Sequence, residues 1–309
     1  MKCKGLFLLL LITIKWVFLF GDDNGYHESD KIIDINKRKN YLNIMGTGSP
    51  TVIFISDIDC YGSLNWNVIE KNVSKKTRTV NYDRRGYNWS DRGKLPRTGE
   101  ILSKELEEIL IAINSEGPFI VVAHAMGSIY GRIFTGRNIE KIVGILFIDP
   151  VNPEQNERMK SIGYSKGIPN KNIRPIIWLI QTLGLTNRNR LKQYGFSNED
   201  YEIARYFYNK NSLTWFDETV SSEQSLKEAK RYSDFGAIPL RILTSRKEQT
   251  NAKLLKEWIE LQSQLMNLSS NSKQIIIEDS GHYLHIDRPE IVSNEIDKLI
   301  IYCRENGTD

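Results

Sequence analysis

Three short apolar runs set the limits on how this chain can fold. Thr51–Ile55, Phe119–Val122 and Val143–Ile148 are built almost wholly from β-branched, aromatic and aliphatic residues. Runs of that kind mark strands buried on both faces, the habit of a parallel sheet covered by helices. Between the first two, Ile101, Leu102, Leu106, Ile109, Leu110 and Ile113 recur at helical spacing, and Gly117-Pro118 stops that helix. Residues 31–35 and 40–45 read as a strand pair, residues 46–50 as a turn, and Thr79–Tyr82 as a further strand. Ser128–Arg137 reads as the helix between the last two runs. The alternation predicts an α/β fold, mostly parallel, with helices on both faces of the sheet.

After Pro150 the rhythm changes. Residues 151–236 carry helical patterns at 176–183, 198–208 and 221–232, without a clear buried strand. Strand patterns resume at 238–243 and 274–277. The expected organisation is therefore a sheet domain in two parts, 31–150 and 237–309, interrupted by a helical lid over 151–236. The chain has 309 residues, 40% hydrophobic and 26% charged, which suits one such domain and excludes collagen, coiled coil and disorder.

The first residues stand apart. Lys2 and Lys4 precede a nearly continuous apolar run from Gly5 to Phe20, broken at Lys15, and residues 22–30 are a polar linker. Residues 1–22 are expected to be a signal peptide or an N-terminal membrane anchor, giving a body that is secreted, periplasmic or tethered. Residues 1–20 hold three of the 42 basic residues and none of the 38 acidic ones, so the remainder carries 39 basic against 38 acidic residues. A body that near neutrality is not a nucleic-acid binder. Three cysteines without a CxxC pair leave no cysteine-rich zinc site, and no dinucleotide fingerprint or P-loop is present. No cofactor or metal is expected. Histidine chemistry must draw on His27, His124, His282 or His285.

The most informative stretch is Ile120–Gly131. A buried strand runs into a turn of small residues and then a helix. A residue at the centre of such a turn is lifted to the helix N-terminus, above the sheet. With it, four segments in order resemble the α/β-hydrolase fold of the family-1 type, close to the members whose turn reads Gly-His-Ser-Met-Gly. They are Gly46–Phe54, the Tyr82-Asp83-Arg84-Arg85-Gly86 turn, Ile148–Glu154 and Asp279–Glu290. The likeness spans most of residues 40–300 and implies a carboxylic ester or amide hydrolase working through a Ser-His-acid triad.

By that resemblance the nucleophile position is Ala125, whose methyl group cannot attack an acyl carbon. Ser128, three residues on and inside the helix, is expected to point elsewhere. His282 matches the base. Asp149 and Glu248 are alternative acids. Met126 and Ile58 would supply the backbone N–H groups of the oxyanion hole. The loop carrying that hole reads Ser56-Asp57-Ile58-Asp59-Cys60-Tyr61-Gly62, where the family is glycine-rich. Two carboxylates there should oppose a developing oxyanion. Like charges about 4 Å apart cost roughly 4 kcal/mol at an effective dielectric of about 20, near 10³-fold in rate. The resemblance therefore implies a catalytically impaired hydrolase or a pseudoenzyme that binds a ligand or a protein, and alternatively an active serine hydrolase altered at Ala125. A small apolar ester, amide or lipid-like ligand would sit under the lid, with Trp178, Leu179, Leu183, Phe207 and Trp215 as candidate lining.

Overall fold

A sheet of eight strands organises the chain, with the order β1-β2-β4-β3-β5-β6-β7-β8. The computed structural model describes residues 30–164, 167–246 and 251–307. The strands are β1 (Asp30–Asp34), β2 (Lys39–Met45), β3 (Thr51–Ile55), β4 (Thr79–Tyr82), β5 (Phe119–His124), β6 (Ile142–Ile148), β7 (Leu240–Ser245) and β8 (Ser272–Ile277). β2 pairs antiparallel with β4, and every pairing from β4 through β8 is parallel. The anticipated leader at residues 1–22 lies outside the described residues. Among those described, no helix is long and apolar enough to cross a membrane.

The side-chain period of two divides each central strand between two cores. Ile53, Ile55, Val121, Ala123, Ile145 and Phe147 face α2 (Gly99–Ala112), α3 (Gly127–Arg137) and α7 (Ser222–Ala229). Val52, Phe54, Ile120, Val122, Leu146 and Ile148 face α1 (Asn67–Val73) and α10 (Pro289–Glu305). Each buried Val, Ile, Leu or Phe contributes about 1.5–3 kcal/mol, so continuous apolar strands are what the two covered faces require. Gly131 lets α3 press onto β5, since a Cβ there would meet Ala123 Cβ and Val121 Cγ1 at 3.2 Å.

Register sets the functional end of the sheet. Ile55 is level with Ala123, His124 with Ile148, Ile148 with Leu243, and Ser245 with Ile277. The loops leaving the carboxyl ends of β3, β5, β6, β7 and β8 therefore emerge side by side, where open α/β sheets place their ligands.

Between β6 and β7 the chain forms α4 (Gln155–Ser161), α5 (Arg174–Thr182), α6 (Asn198–Val220) and α7. The helix expected at 198–208 runs on to Val220. Its second half turns Asn211, Thr214 and Glu218 inward beside Leu213 and Phe216, and these polar groups, bonded to the core, blur the apolar period. Asn211 donates to Cys60 O and Asn88 Oδ1, Thr214 to Gly86 O, and Glu218 accepts from Arg84. A helix that docks partly through hydrogen bonds shows a weakened apolar stripe.

Candidate active site

The turn after β5 is strained where the sequence places its central residue. Ala125 has φ +46, a left-handed conformation that L-residues other than Asn and Asp seldom adopt. Its N–H donates to Ile148 O at 3.0 Å, and its carbonyl accepts from Ser128 N at 3.0 Å and Ser128 Oγ at 2.7 Å. Ser128 is thus a brace beneath the turn, as its place in the helix led one to expect. Gly127 is forced, since a Cβ there would lie 2.5 Å from the carbonyl oxygens of Ile55 and Ser56. The Ala125 methyl lies on the floor of the cavity above the sheet.

His282 and Asp149 are brought together from loops far apart in sequence. His282 Nδ1–H donates to Asp149 Oδ2 at 2.6 Å. Asp149 Oδ1 accepts from Ser245 N at 3.1 Å, Trp258 Nε1 at 3.0 Å and Gln262 Nε2 at 3.0 Å. Trp258 and Gln262 come from α8 (Ala252–Ser263), and sequence reading missed both. Four donors, three on Oδ1 and one on Oδ2, fix this buried carboxylate. The alternative acid, Glu248, lies outside the described residues.

The β3 loop departs from expectation in two ways. Met126 N–H, one expected oxyanion donor, instead donates to Asp57 Oδ1 at 2.9 Å. The other, Ile58, is partly buried against the apolar core. Asp59, expected to face the site beside Asp57, turns away. Its Oδ1 accepts from Tyr61 N at 2.8 Å and Gly62 N at 3.2 Å, and Asn65 Nδ2 bonds both its oxygens. That is an Asx turn, the local bond an aspartate makes with the amide two residues on. Burial and the Asp57 charge push Asp59 up to about 7.

Of the two loop carboxylates Asp57 therefore faces the site, its Oδ2 3.8 Å from His282 Nε2. Burial works against charge on His282, yet contacts with Asp149 and Asp57 outweigh it and raise the imidazole to about 10. Burial likewise works against charge on Asp57, and the contact with His282 outweighs it, holding the carboxyl at about 2. Burial, then the charge on His282, push His124 down to about 4. His124 Nε2–H donates to His282 O at 2.9 Å and holds that loop in place. At neutral pH the site is an imidazolium between two carboxylates.

Two consequences are measurable. At pH 7.5, NMR should find both ring nitrogens of His282 protonated, with titration near 10, and Asp57→Asn should lower that value. A neutral ring at pH 7.5 would refute the assignment. The stability owed to charged His282 is complete below its unfolded pKa of about 6.5 and fades as pH rises through about 10. That owed to Asp57 is complete above about 3.9 and fades as pH falls through about 2.

Asp57, Ala125, Met126, Asp149 and His282 floor a cavity of about 460 Å³, a size suited to a small molecule. Val151, Met159, Leu254 and Trp258 give it apolar wall, and Gln155, Asn156, Glu157, Lys160 and Tyr164 add polar groups. None of the five lid residues expected to line it does so. Trp178, Leu179 and Leu183 are half exposed on or just after α5, Trp215 is exposed on α6, and Phe207 packs edge-on against Trp89. Much of the wall comes from α4, whose sequence is largely polar, and from Leu254 and Trp258 of α8. Among the described residues no group of His, Cys, Asp and Glu is arranged to hold a metal.

Comparison with known proteins agrees with this architecture. The model of the alpha/beta hydrolase family matches residues 52–295. An uncharacterized protein of Bacillus subtilis, YqjL, is 24% identical over 249 residues, covering 80% of this chain and 82% of its own length. Among solved structures, DbjA superposes with a TM-score of 0.70 at 13% identity, covering 90% of this chain and 99% of that one. The epoxide hydrolase VrEH1 from Vigna radiata gives 0.66 at 18% identity, covering 88% and 98%. At such identities the structural likeness speaks for the fold alone.

Proposed function

The chain belongs to the alpha/beta hydrolase family, and on that premise we propose that it descends from a carboxylic ester or amide hydrolase whose serine route is closed. Ala125 stands in the vacated nucleophile position and has no lone pair to offer an acyl carbon. The carrying observation is the 2.9 Å bond from Met126 N–H to Asp57. A substrate oxyanion would need that N–H and would meet a carboxylate instead. His282, charged between Asp57 and Asp149, cannot take a proton from a nucleophile. A chain altered only at position 125 would leave Asp57 unexplained, so loss at two places favours natural divergence. The cavity suits a small apolar ester, amide or lipid-like ligand held without acyl chemistry. The apolar leader supports a body that is exported or tethered to a membrane.

The test is direct. A fluorophosphonate probe should not label the protein, and p-nitrophenyl acetate and octanoate should hydrolyse at the buffer rate. Rapid labelling that is lost in His282→Ala would overturn the proposal.

A further inference from the structure

A surface helix ordinarily turns its apolar stripe to the core and its polar residues to water. α5 does the reverse. Its polar residues hold it down: Arg174 Nε and Nη2 donate to Asp217 Oδ1 and Oδ2 of α6 at 2.6 and 2.9 Å, and Gln181 Oε1 accepts from Arg92 Nη2 at 2.8 Å. By helical spacing the far side belongs to Ile176, Leu179 and Leu183, at i, i+3 and i+7, which are 57%, 50% and 52% exposed. Ile173, Trp178 and Leu185, next to them in the chain, are exposed as well. None of the nine residues of α5 is buried. So much apolar surface left in one place marks a contact.

The charge around this surface says what it meets. From Arg158 to Asn198 the chain has eight Lys and Arg and no Asp or Glu, although the body as a whole is near balance. Lys171 stands just before α5, and Arg188, Arg190 and Lys192 follow it. Among the described residues none of these four is paired with a carboxylate. A stripe of large apolar side chains that includes a Trp, set between cationic turns, is the pattern of helices that lie in a lipid interface.

We infer that α5 and the turns on either side of it form a face that docks on a membrane surface rich in anionic lipid. The helix rises about 14 Å along its axis, against a hydrocarbon core of about 30 Å, so it lies in the plane of the interface and does not cross it. Ile176, Leu179 and Leu183 enter the boundary of the acyl chains, and Trp178 sits at the level of the headgroups. Lys171, Arg188, Arg190 and Lys192 meet the anionic headgroups, where each cation adds to the hold and salt weakens it. The face is apart from the chemistry of the cavity, which none of these residues lines.

Hydrogen–deuterium exchange of the full chain reads this face separately from the apolar leader, since an anchor there would bring every variant to the vesicle alike. On vesicles of mixed phosphatidylserine and phosphatidylcholine, amides of residues 173–185 should exchange more slowly than in buffer by on the order of tenfold or more. Vesicles of phosphatidylcholine alone, or high salt, should remove most of the slowing. Leu179→Ser with Leu183→Ser, and separately Arg188→Glu with Arg190→Glu, should each return exchange to within about twofold of buffer. These side chains are on the surface, so circular dichroism of both variants should match the parent. Brominated lipid should quench a part of the emission that Trp178→Phe lacks. Exchange over 173–185 unchanged by anionic vesicles, equal slowing on neutral ones, or slowing that survives both double variants overturns the proposal. So does protection in buffer that the Leu179→Ser, Leu183→Ser variant removes: if it grows with protein concentration a second copy covers the face, and if it does not, the leader does.

Discussion

Ala125→Ser alone should leave p-nitrophenyl ester hydrolysis within about tenfold of the parent, while Ala125→Ser with Asp57→Gly should raise it by on the order of 10³-fold. The single change restores a hydroxyl and little else. Its neighbour Met126 N–H stays bonded to Asp57 at 2.9 Å, and one missing oxyanion donor costs about 10²–10³ in rate. The carboxylate would also repel the tetrahedral intermediate. Removing it frees the N–H, removes the repulsion and lowers the His282 pKa, so the ring becomes a usable base. Initial rates against chain length give the comparison. A single variant as fast as the double would show that Asp57 is no obstacle, and silence in both would place the block elsewhere.

Glu218→Gln should destabilise the fold by about 3–5 kcal/mol, because it strands a buried charge. Glu218 is fully buried, with Oε1 3.2 Å from Arg84 Nε, Oε2 2.9 Å from Arg84 Nη2, and Oε1 3.8 Å from Arg97 Nη2. Tyr87 also donates to it at 3.3 Å. At about 2–4 °C per kcal/mol for a domain of this size, the melting midpoint should fall by roughly 10 °C. Urea titration of parent and variant gives the free energy. Replacing both partners by apolar residues, as in Arg84→Met with Glu218→Leu, should recover much of the loss. A Glu218→Gln protein within about 1 kcal/mol of the parent would mean that the pair contributes little.

The sheet was legible because strands covered on both faces have to be apolar throughout, so Thr51–Ile55 and Phe119–Val122 declare themselves. The strained turn was legible from its small residues, whereas the resemblance left the partner of His282 open between Asp149 and Glu248. Other parts left no local trace. Trp258 and Gln262 reach Asp149 across 109 and 113 positions, and no spacing rule covers such a distance. Arg84 and Glu218 are 134 positions apart. The lid wall was misjudged because apolarity was the guide, while α4 lines the cavity largely with polar side chains. Asp59 did carry a usable signal. An aspartate followed two residues later by a free amide, in Asp59-Cys60-Tyr61-Gly62, is prone to bond its own turn, which would have left Asp57 as the carboxylate of that loop facing the site.

The helices over the sheet are secured in two unlike ways, and this divides the labour of exchange. α6 is riveted through Glu218 and Arg84 to the carbonyls beside Asp57, so it cannot swing without unseating that loop. α4, which walls the cavity, is tied to α8 by Arg158 with Glu257 and Glu260, pairs open to water. Contacts of that kind hold weakly and weaken further in salt. Salt should therefore loosen the hold of α4 on α8 before it disturbs the seat of Asp57.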